Sequence, residues 1–173
     1  MALSKIPVNM YYDPTAAKLP SGSVIKMFYD GAINDFANTT ANGTVIEATA
    51  NHRPSFVRVL GSTESQIFFD GDIHVYGDLD NDSHGYISIQ VRVKRTVNGS
   101  NQTTVYNEGG IIDRAGQTRM RGHRVRFIDN PTTNAGDTLE YLVECVLNNT
   151  TNGRAMNVNN SRPSSISIME MKI

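Results

Sequence analysis

Three aspartates at alternate positions are the pattern in this sequence that comes nearest to a metal site. Asp78, Asp80 and Asp82 match the first three ligand positions of a calcium-binding loop, where carboxylate oxygens surround a hard cation. The match ends there, because Ser83 replaces the sharp-turn glycine and Ile89 replaces the closing bidentate glutamate. We therefore interpret the segment as a solvated acidic loop between strands, with these aspartates as the alternative calcium ligands.

The histidines and the single cysteine lack the spacings that zinc binding or nucleophilic catalysis requires. His74, His84 and His123 have no H-x-H, H-E-x-x-H or neighbouring cysteine partner. The sequence has no G-x-S-x-G elbow, no P-loop and no G-x-G-x-x-G. Cys145 lies in the apolar phase of its strand, which predicts a small buried hydrophobe rather than a reactive thiol. We expect no catalytic residues, no cofactor and no enzymatic activity.

Composition limits the size of the fold and the kinds of partner. The 173 residues suffice for one well-cored domain and are too few for two ordinary ones. The formal charge is −1, from 16 Lys and Arg against 17 Asp and Glu, which argues against binding to nucleic acid or an anionic membrane. Since no signal peptide or apolar run of membrane-spanning length is present, we expect synthesis in a cytoplasm.

An unbroken alternation of apolar and polar residues between Tyr86 and Arg95 indicates a long β-strand. Ile87, Ile89, Val91 and Val93 fall on one face of that strand, and a helix would scatter them. Similar patterns and turn signals predict further strands at Ser23–Tyr29, Thr44–Thr49, Ser55–Leu60, Gln66–Phe69, Asp72–Tyr76, Thr103–Asn107, Arg119–Asp129, Asp137–Leu147, Ala155–Val158 and Ser164–Ile173. So many strands without an amphipathic helix predict an all-β sandwich or jelly roll.

The sequence leaves one local feature undecided and gives specific expectations for three others. The Asp70-Gly71 pair indicates either a tight hairpin or a bulge in one long strand. Residues 32–43 have the composition of a loop, and Val45 is expected to face the core. The final strand carries apolar residues in both phases, which is typical of a strand covered on both sides, and one cover could be another subunit.

Residues 1–21 are predicted to form an extended N-terminal arm, and residues 22–173 the jelly-roll domain. Pro7, Pro14 and Pro20 exclude a helix and a central strand from the arm. The arm is nevertheless apolar, unlike an ordinary disordered tail, so we expect it to bind a partner or, alternatively, to pack on its own domain. The residues expected to bind are Ile6, Val8, Met10, Tyr11, Tyr12 and Leu19.

Three segments resemble parts of the C-terminal jelly-roll domain of tailed-bacteriophage structural proteins, which is similar to the C1q and tumour-necrosis-factor heads. They are Phe127–Pro131, the strand Thr138–Val146 and the closing Ser164–Lys172, and the opening Met1–Ile6 is similar to that of short phage fibre proteins. The resemblance implies a homotrimer around a three-fold axis, without catalytic residues. No long shaft precedes the domain, unlike in tail fibres.

Two functions follow from this resemblance. The first is a virion structural protein, a trimer on the particle surface that acts as a capsid decoration, cement or head-fibre subunit and contacts the shell through its arm. The second is the receptor-binding tip of a tail fibre that binds host surface glycan. Copy number per virion would separate them.

Overall fold

A computed structural model describes residues 19–33, 37–39, 41, 43–48, 53–78, 86–114, 119–150, 155–158 and 163–173. Eleven strands lie in these residues, and no helix among them is long and apolar enough to span a membrane. The strands are β1 (Val24–Ile33), β2 (Ala37–Thr39), β3 (Val45–Glu47), β4 (Ser55–Val57), β5 (Ser65–Asp78), β6 (Tyr86–Val97), β7 (Ser100–Arg114), β8 (Arg119–Asp129), β9 (Thr138–Thr150), β10 (Ala155–Val158) and β11 (Ser164–Lys172).

The strands form two antiparallel sheets. The front sheet has β5 between β8 and β11, with β1 beyond β11, while β10 and β2 continue the lines of β11 and β1. The back sheet has the order β7-β6-β9, and both β3 and β4 pair with the far edge of β9. If each interrupted strand is counted once, eight chain passages form the two sheets in the order of a jelly roll: the chain changes sheet at every step except from β6 to β7, which pair in the back sheet. The predicted fold class is therefore confirmed.

The core forms between the sheets from the inward-facing residues of each strand. In β9 the predicted apolar phase is buried throughout, from Leu139 to Leu147, and Cys145 in that phase is fully buried. Phe69 of the front sheet packs against Tyr141 of the back sheet, with ring centroids 5.7 Å apart. Burial of the inward phase is what holds two curved sheets together.

The structure settles the points left open by the sequence. β5 runs through Asp70-Gly71 in unbroken register with both β8 and β11, so it forms one strand with neither a hairpin nor a bulge. The expectation for Val45 was wrong, because Val45 is 43% exposed and Ile46 faces the core opposite Cys145. Val45 and Ile46 are both apolar, so the sequence of this short strand does not show which of them faces the core. Only the pairing of β3 with β9 shows it.

Residues 37–39 were also predicted wrongly, since the loop interpretation missed β2. Ala37–Thr39 has no apolar alternation and is a strand because its backbone pairs with β10. β7 likewise continues through Gly109-Gly110, beyond the predicted strand Thr103–Asn107, and a register shift against β6 accommodates the two glycines.

A buried ion pair connects the two sheets at the end where β1 and β5 begin and β11 ends, which we call the base. Arg58 and Glu170 are 2% and 0% exposed. The Arg58 Nε lies 3.5 Å from Glu170 Oε1. The guanidinium also donates to the Thr133 hydroxyl and to both the hydroxyl and carbonyl oxygens of Ser65, each at 2.6 Å. The Arg58 guanidinium thereby contacts three separate segments of the chain.

The Glu170 carboxylate is satisfied by further donors. The backbone amides of Val59 and Leu60 donate to it at 2.7 and 2.9 Å, and the Ser65 hydroxyl donates at 2.6 Å. Two buried charges are tolerated only when such bonds replace their lost hydration. The base of the sandwich is therefore held by a polar network rather than by apolar packing alone.

A second polar contact crosses the sandwich near the base. Asp129 at the end of β8 accepts from Arg95 of β6 at 2.5 Å and from the Tyr141 hydroxyl of β9 at 2.8 Å. Burial, and then the neighbouring Asp129 charge, raise the pKa of Tyr141. The phenol therefore stays protonated and keeps donating across the two sheets.

We expect Arg58→Met to lower the free energy of unfolding by about 3 kcal/mol, because Glu170 would remain charged and buried without its cation. Urea denaturation measures the change. Arg53→Met is the control: its side chain is 46% exposed and pairs with Glu47 at 2.8 Å, so a loss within about 1 kcal/mol is expected. The double change Arg58→Met with Glu170→Leu should recover part of the loss. Equal effects of the two single changes would contradict the network.

Candidate assembly surface

Most sequence-predicted site residues lie outside the described residues. Of the calcium candidates, Asp78 ends β5, whereas Asp80 and Asp82 are not described. Across the described ranges, no three His, Cys, Asp or Glu side chains are placed to hold a metal ion. The structure therefore does not test the interpretation of the acidic loop.

Of the arm residues, only Leu19 is described. It is half-buried against Ile25, Val59 and Leu60, a small cluster at the base that is separate from the main core. Ile6, Val8, Met10, Tyr11 and Tyr12 lie outside the described residues. The arm thus joins the domain at the base, where its last apolar side chain contacts its own chain.

Cys145 is confirmed as a core residue. Its side chain is fully buried in β9, and burial, together with the neighbouring Glu144 charge, raises the pKa of the thiol to about 12. Since the thiolate is the reactive form, the thiol is inert at neutral pH.

The outer face of the front sheet carries a row of apolar side chains from one edge to the other. Met27 of β1 lies opposite Met169 of β11, Met169 opposite Phe68 of β5, and Phe68 opposite Ile128 of β8. Met27 and Ile128 at the two ends are 47% and 59% exposed, and the two central residues are half-buried. We call these four residues the apolar band.

The surroundings of the apolar band extend its apolar character toward the base. Val24 and Met171 form the neighbouring row, and Val24 is 41% exposed. On the other side lies Tyr29, which is 64% exposed. Of the seven large apolar residues exposed in the described part of the chain, four therefore lie on this face. Single exposed apolar residues are ordinary, but a contiguous group on one face of a sheet marks an interaction site.

A row of charged residues borders the apolar band on the side away from the base. Asp70 of β5 accepts from Arg124 at 2.9 and 3.1 Å and from Arg126 at 3.1 Å. The hydrogen bond from Arg124, followed by that from Arg126, holds the pKa of Asp70 below its usual value. The Arg126 guanidinium also lies 5.9 Å from the Phe68 ring centroid, so the ionic row contacts the band directly.

The outer face of the back sheet is built differently. Glu144 of β9 lies between Arg92 and Lys94 of β6, which pair with it at 2.9 and 2.7 Å and leave it only 5% exposed. The polar side chains of β6 thus cover this face with ion pairs from the same chain. The contrast identifies the front sheet as the surface suited to a protein partner, since interfaces combine an apolar centre with a polar rim.

Sequence reasoning found only part of this surface. Because Ser164–Ile173 has apolar residues in both phases, the sequence predicted that the outer side of this strand is also covered. Met169 and Met171 are its outward-facing apolar residues. Met27 and Ile128 were not singled out, although Ile128 stands out of phase with Val125 and Phe127. Alternation shows which residues share a face, but only the sheet order aligns residues of four strands in one row.

No protein-family model matches the chain, and no curated protein matches it. Among solved structures it is similar to the infectious bursal disease virus Gx strain, with 9% identity over 86% of this chain and 36% of that chain, and a TM-score of 0.40. T=1 particles derived from infectious bursal virus match with 10% identity over 86% and 36% of the two chains, and a TM-score of 0.39.

Dimeric latent PorU from Porphyromonas gingivalis also matches, with 9% identity over 85% of this chain and 13% of that chain, and a TM-score of 0.39. This chain spans about a third of the viral chains and about an eighth of PorU. Likeness of this extent concerns the all-β fold alone.

We expect Asp70→Asn to destabilise the protein by less than about 1 kcal/mol at pH 7, since its arginine partners are largely solvated. Because the folded pKa of Asp70 is lowered, its contribution is present above the unfolded pKa of about 3.9 and is lost as the pH falls through the folded value. Urea midpoints of the two proteins should therefore differ at pH 7 and converge as the pH falls below the lowered folded pKa of Asp70. Asp72→Asn is the control, because this neighbouring carboxylate is 52% exposed and lies 3.6 Å from the His74 ring, so a smaller effect on stability is expected.

Proposed function

We propose that the protein is a virion structural protein: a homotrimeric jelly roll on the particle surface, of the bacteriophage capsid decoration, cement or head-fibre type. The observation that carries this proposal is the uncovered apolar band on the front sheet. In this proposal the protein acts by binding other protein chains, and we assign it no chemical step. The jelly roll supports the proposal as an architecture that virus capsids use repeatedly, although lectins and cupins share it.

The front sheet supplies the surface for self-association. Burying Met27 and Ile128 against another copy would remove apolar area from water, which is the main driving force of association. The ionic row contains Arg124, Arg126, Asp70 and Asp72, so its formal charges cancel and a second copy meets no net repulsion. Closed rotational symmetry would bury this face in every subunit. The three-fold order itself comes from the family resemblance.

The two ends of the sandwich support display on a surface. The arm enters at the base, where Leu19 packs, and the chain also ends there, with Ile173 donating to the Glu64 carbonyl at 3.0 Å. β5, β7 and β9 all end at the opposite end of the sandwich. A subunit attached through its arm would therefore direct that opposite end away from the particle. The same geometry would suit a receptor-binding tip, which remains the alternative function.

Introducing a charge at each end of the apolar band should dissociate the trimer. We expect Met27→Lys with Ile128→Lys to yield monomers at micromolar concentration, because desolvating an unpaired ammonium costs several kcal/mol at every interface. Light scattering measures the mass. Val57→Lys is the matched control, since Val57 is 44% exposed but lies on the back sheet. A monomeric mass for the unaltered protein would refute the trimer.

Removing residues 1–20 should separate attachment from folding. We expect the shortened protein to stay folded and trimeric but to lose binding to particles that lack it, because the arm carries the apolar anchors. Cosedimentation with such particles measures the binding. If the shortened protein unfolds, or still binds at full occupancy, the arm is not the anchor.

A further inference from the structure

The apolar band poses a problem for a subunit that has not yet assembled. In a single chain, Met27 and Ile128 are about half exposed on the outer face of the front sheet. Contiguous exposed apolar surface promotes nonspecific association. A trimer would cover the band, so this inference rests on the proposed function and concerns the stage before the trimer forms.

The arm contains a segment whose pattern fits the band. Ile6, Val8, Met10 and Tyr12 occupy every second position, so in an extended chain they lie on one face. Residues 6–12 include no charged residue, whereas Lys5 and Asp13 flank them. An extended segment of this length spans about 20 Å, and the four strands that carry the band span about 14 Å.

The described residues show where the chain that follows this segment joins the domain. Leu19 is anchored at the base, and the Ser23 amide donates to the Pro20 carbonyl at 3.2 Å, which closes a turn. Gly22 in that turn has a φ of +85°, a conformation that favours glycine. After the turn the chain enters β1 at Val24, beside the apolar band. The chain advances seven positions from Tyr12 to Leu19 and can span about 23 Å, which exceeds the width of about 14 Å of the strands that carry the band.

We propose that residues 6–12 of each chain pack on the apolar band of the same chain before assembly, and that association of subunits displaces them. The displaced arm is then free to bind the particle. Attachment would thus follow trimer formation, because one segment cannot cover the band and contact the shell at once. A tether this short gives the arm an effective concentration on the order of millimolar, which favours its own band over another chain in dilute solution.

Disulfide trapping in the full-length chain tests the contact during refolding, before subunits have associated, because the assembled trimer is expected to have displaced the arm. Met10→Cys with Ile128→Cys should form an intrachain disulfide under mild oxidation, and Cys145 does not interfere because it is fully buried. At about 1 µM protein the tether gives the intrachain reaction an advantage of roughly a thousandfold over interchain reaction. The rate should therefore not depend on protein concentration. Met10→Cys with Gln90→Cys, on the outer face of the back sheet, is the matched control and should react at least about tenfold more slowly.

Two results would overturn the proposal. One is a disulfide that links two chains at a rate rising with protein concentration, which indicates that arms exchange between subunits. The other is a rate no greater than that of the Gln90 control. Met10→Cys with Met27→Cys repeats the test if the Ile128 variant does not fold.

Light scattering of the unaltered protein separates this inference from the proposed function. A protein that assembles into trimers but shows no intrachain trapping while it refolds leaves the proposed function standing and removes the arm contact. Intrachain trapping in a protein that stays monomeric at all concentrations leaves the arm contact standing and removes the proposed trimer.

Discussion

The buried pair between Arg58 and Glu170 is the constraint on which the rest of this structure depends. Two charges without hydration require a fixed set of partners, so the pair fixes the positions of β11, the start of β5 and the loops that supply those partners. Because Glu170 must point inward, its neighbours Met169 and Met171 must point outward. The apolar surface of the front sheet is in this sense imposed by a polar interaction inside the sandwich.

The two sheets divide the tasks of stability and recognition. In the back sheet, β9 is buried along most of its length and its outward carboxylate is neutralised by its own chain. On the front sheet, charged side chains pair with one another in the ionic row, and the neighbouring apolar band contains no charged residue. The edge strand β7 shows register shifts against β6, and such irregular edges resist uncontrolled pairing with other strands. Open association through strand edges is thereby disfavoured relative to association through the face.

Long alternating segments were predictable from sequence, and short or solitary features were not. β8 matched its predicted bounds and β6 extended two residues further, because each has enough alternating residues to fix both strand and phase. β2 was missed since only its hydrogen bonds to β10 make it a strand. The Arg58–Glu170 pair joins positions 112 residues apart in the sequence, and nothing local to either residue indicates it. Recognising the apolar band requires the order of four strands in the sheet, and alternation within a single strand does not reveal that order.

One feature of the front sheet bears on how such a domain can change through evolution. The ladder of β1 with β11 ends at Ile33 and Ser164, and that of β2 with β10 resumes at Ala37 and Val158. Three residues separate Ile33 from Ala37 in the sequence, and five separate Val158 from Ser164. Each half of the ladder therefore keeps a register of its own. Insertions or deletions between the two halves would leave the side chains of each half on their present faces, in the core or on the surface.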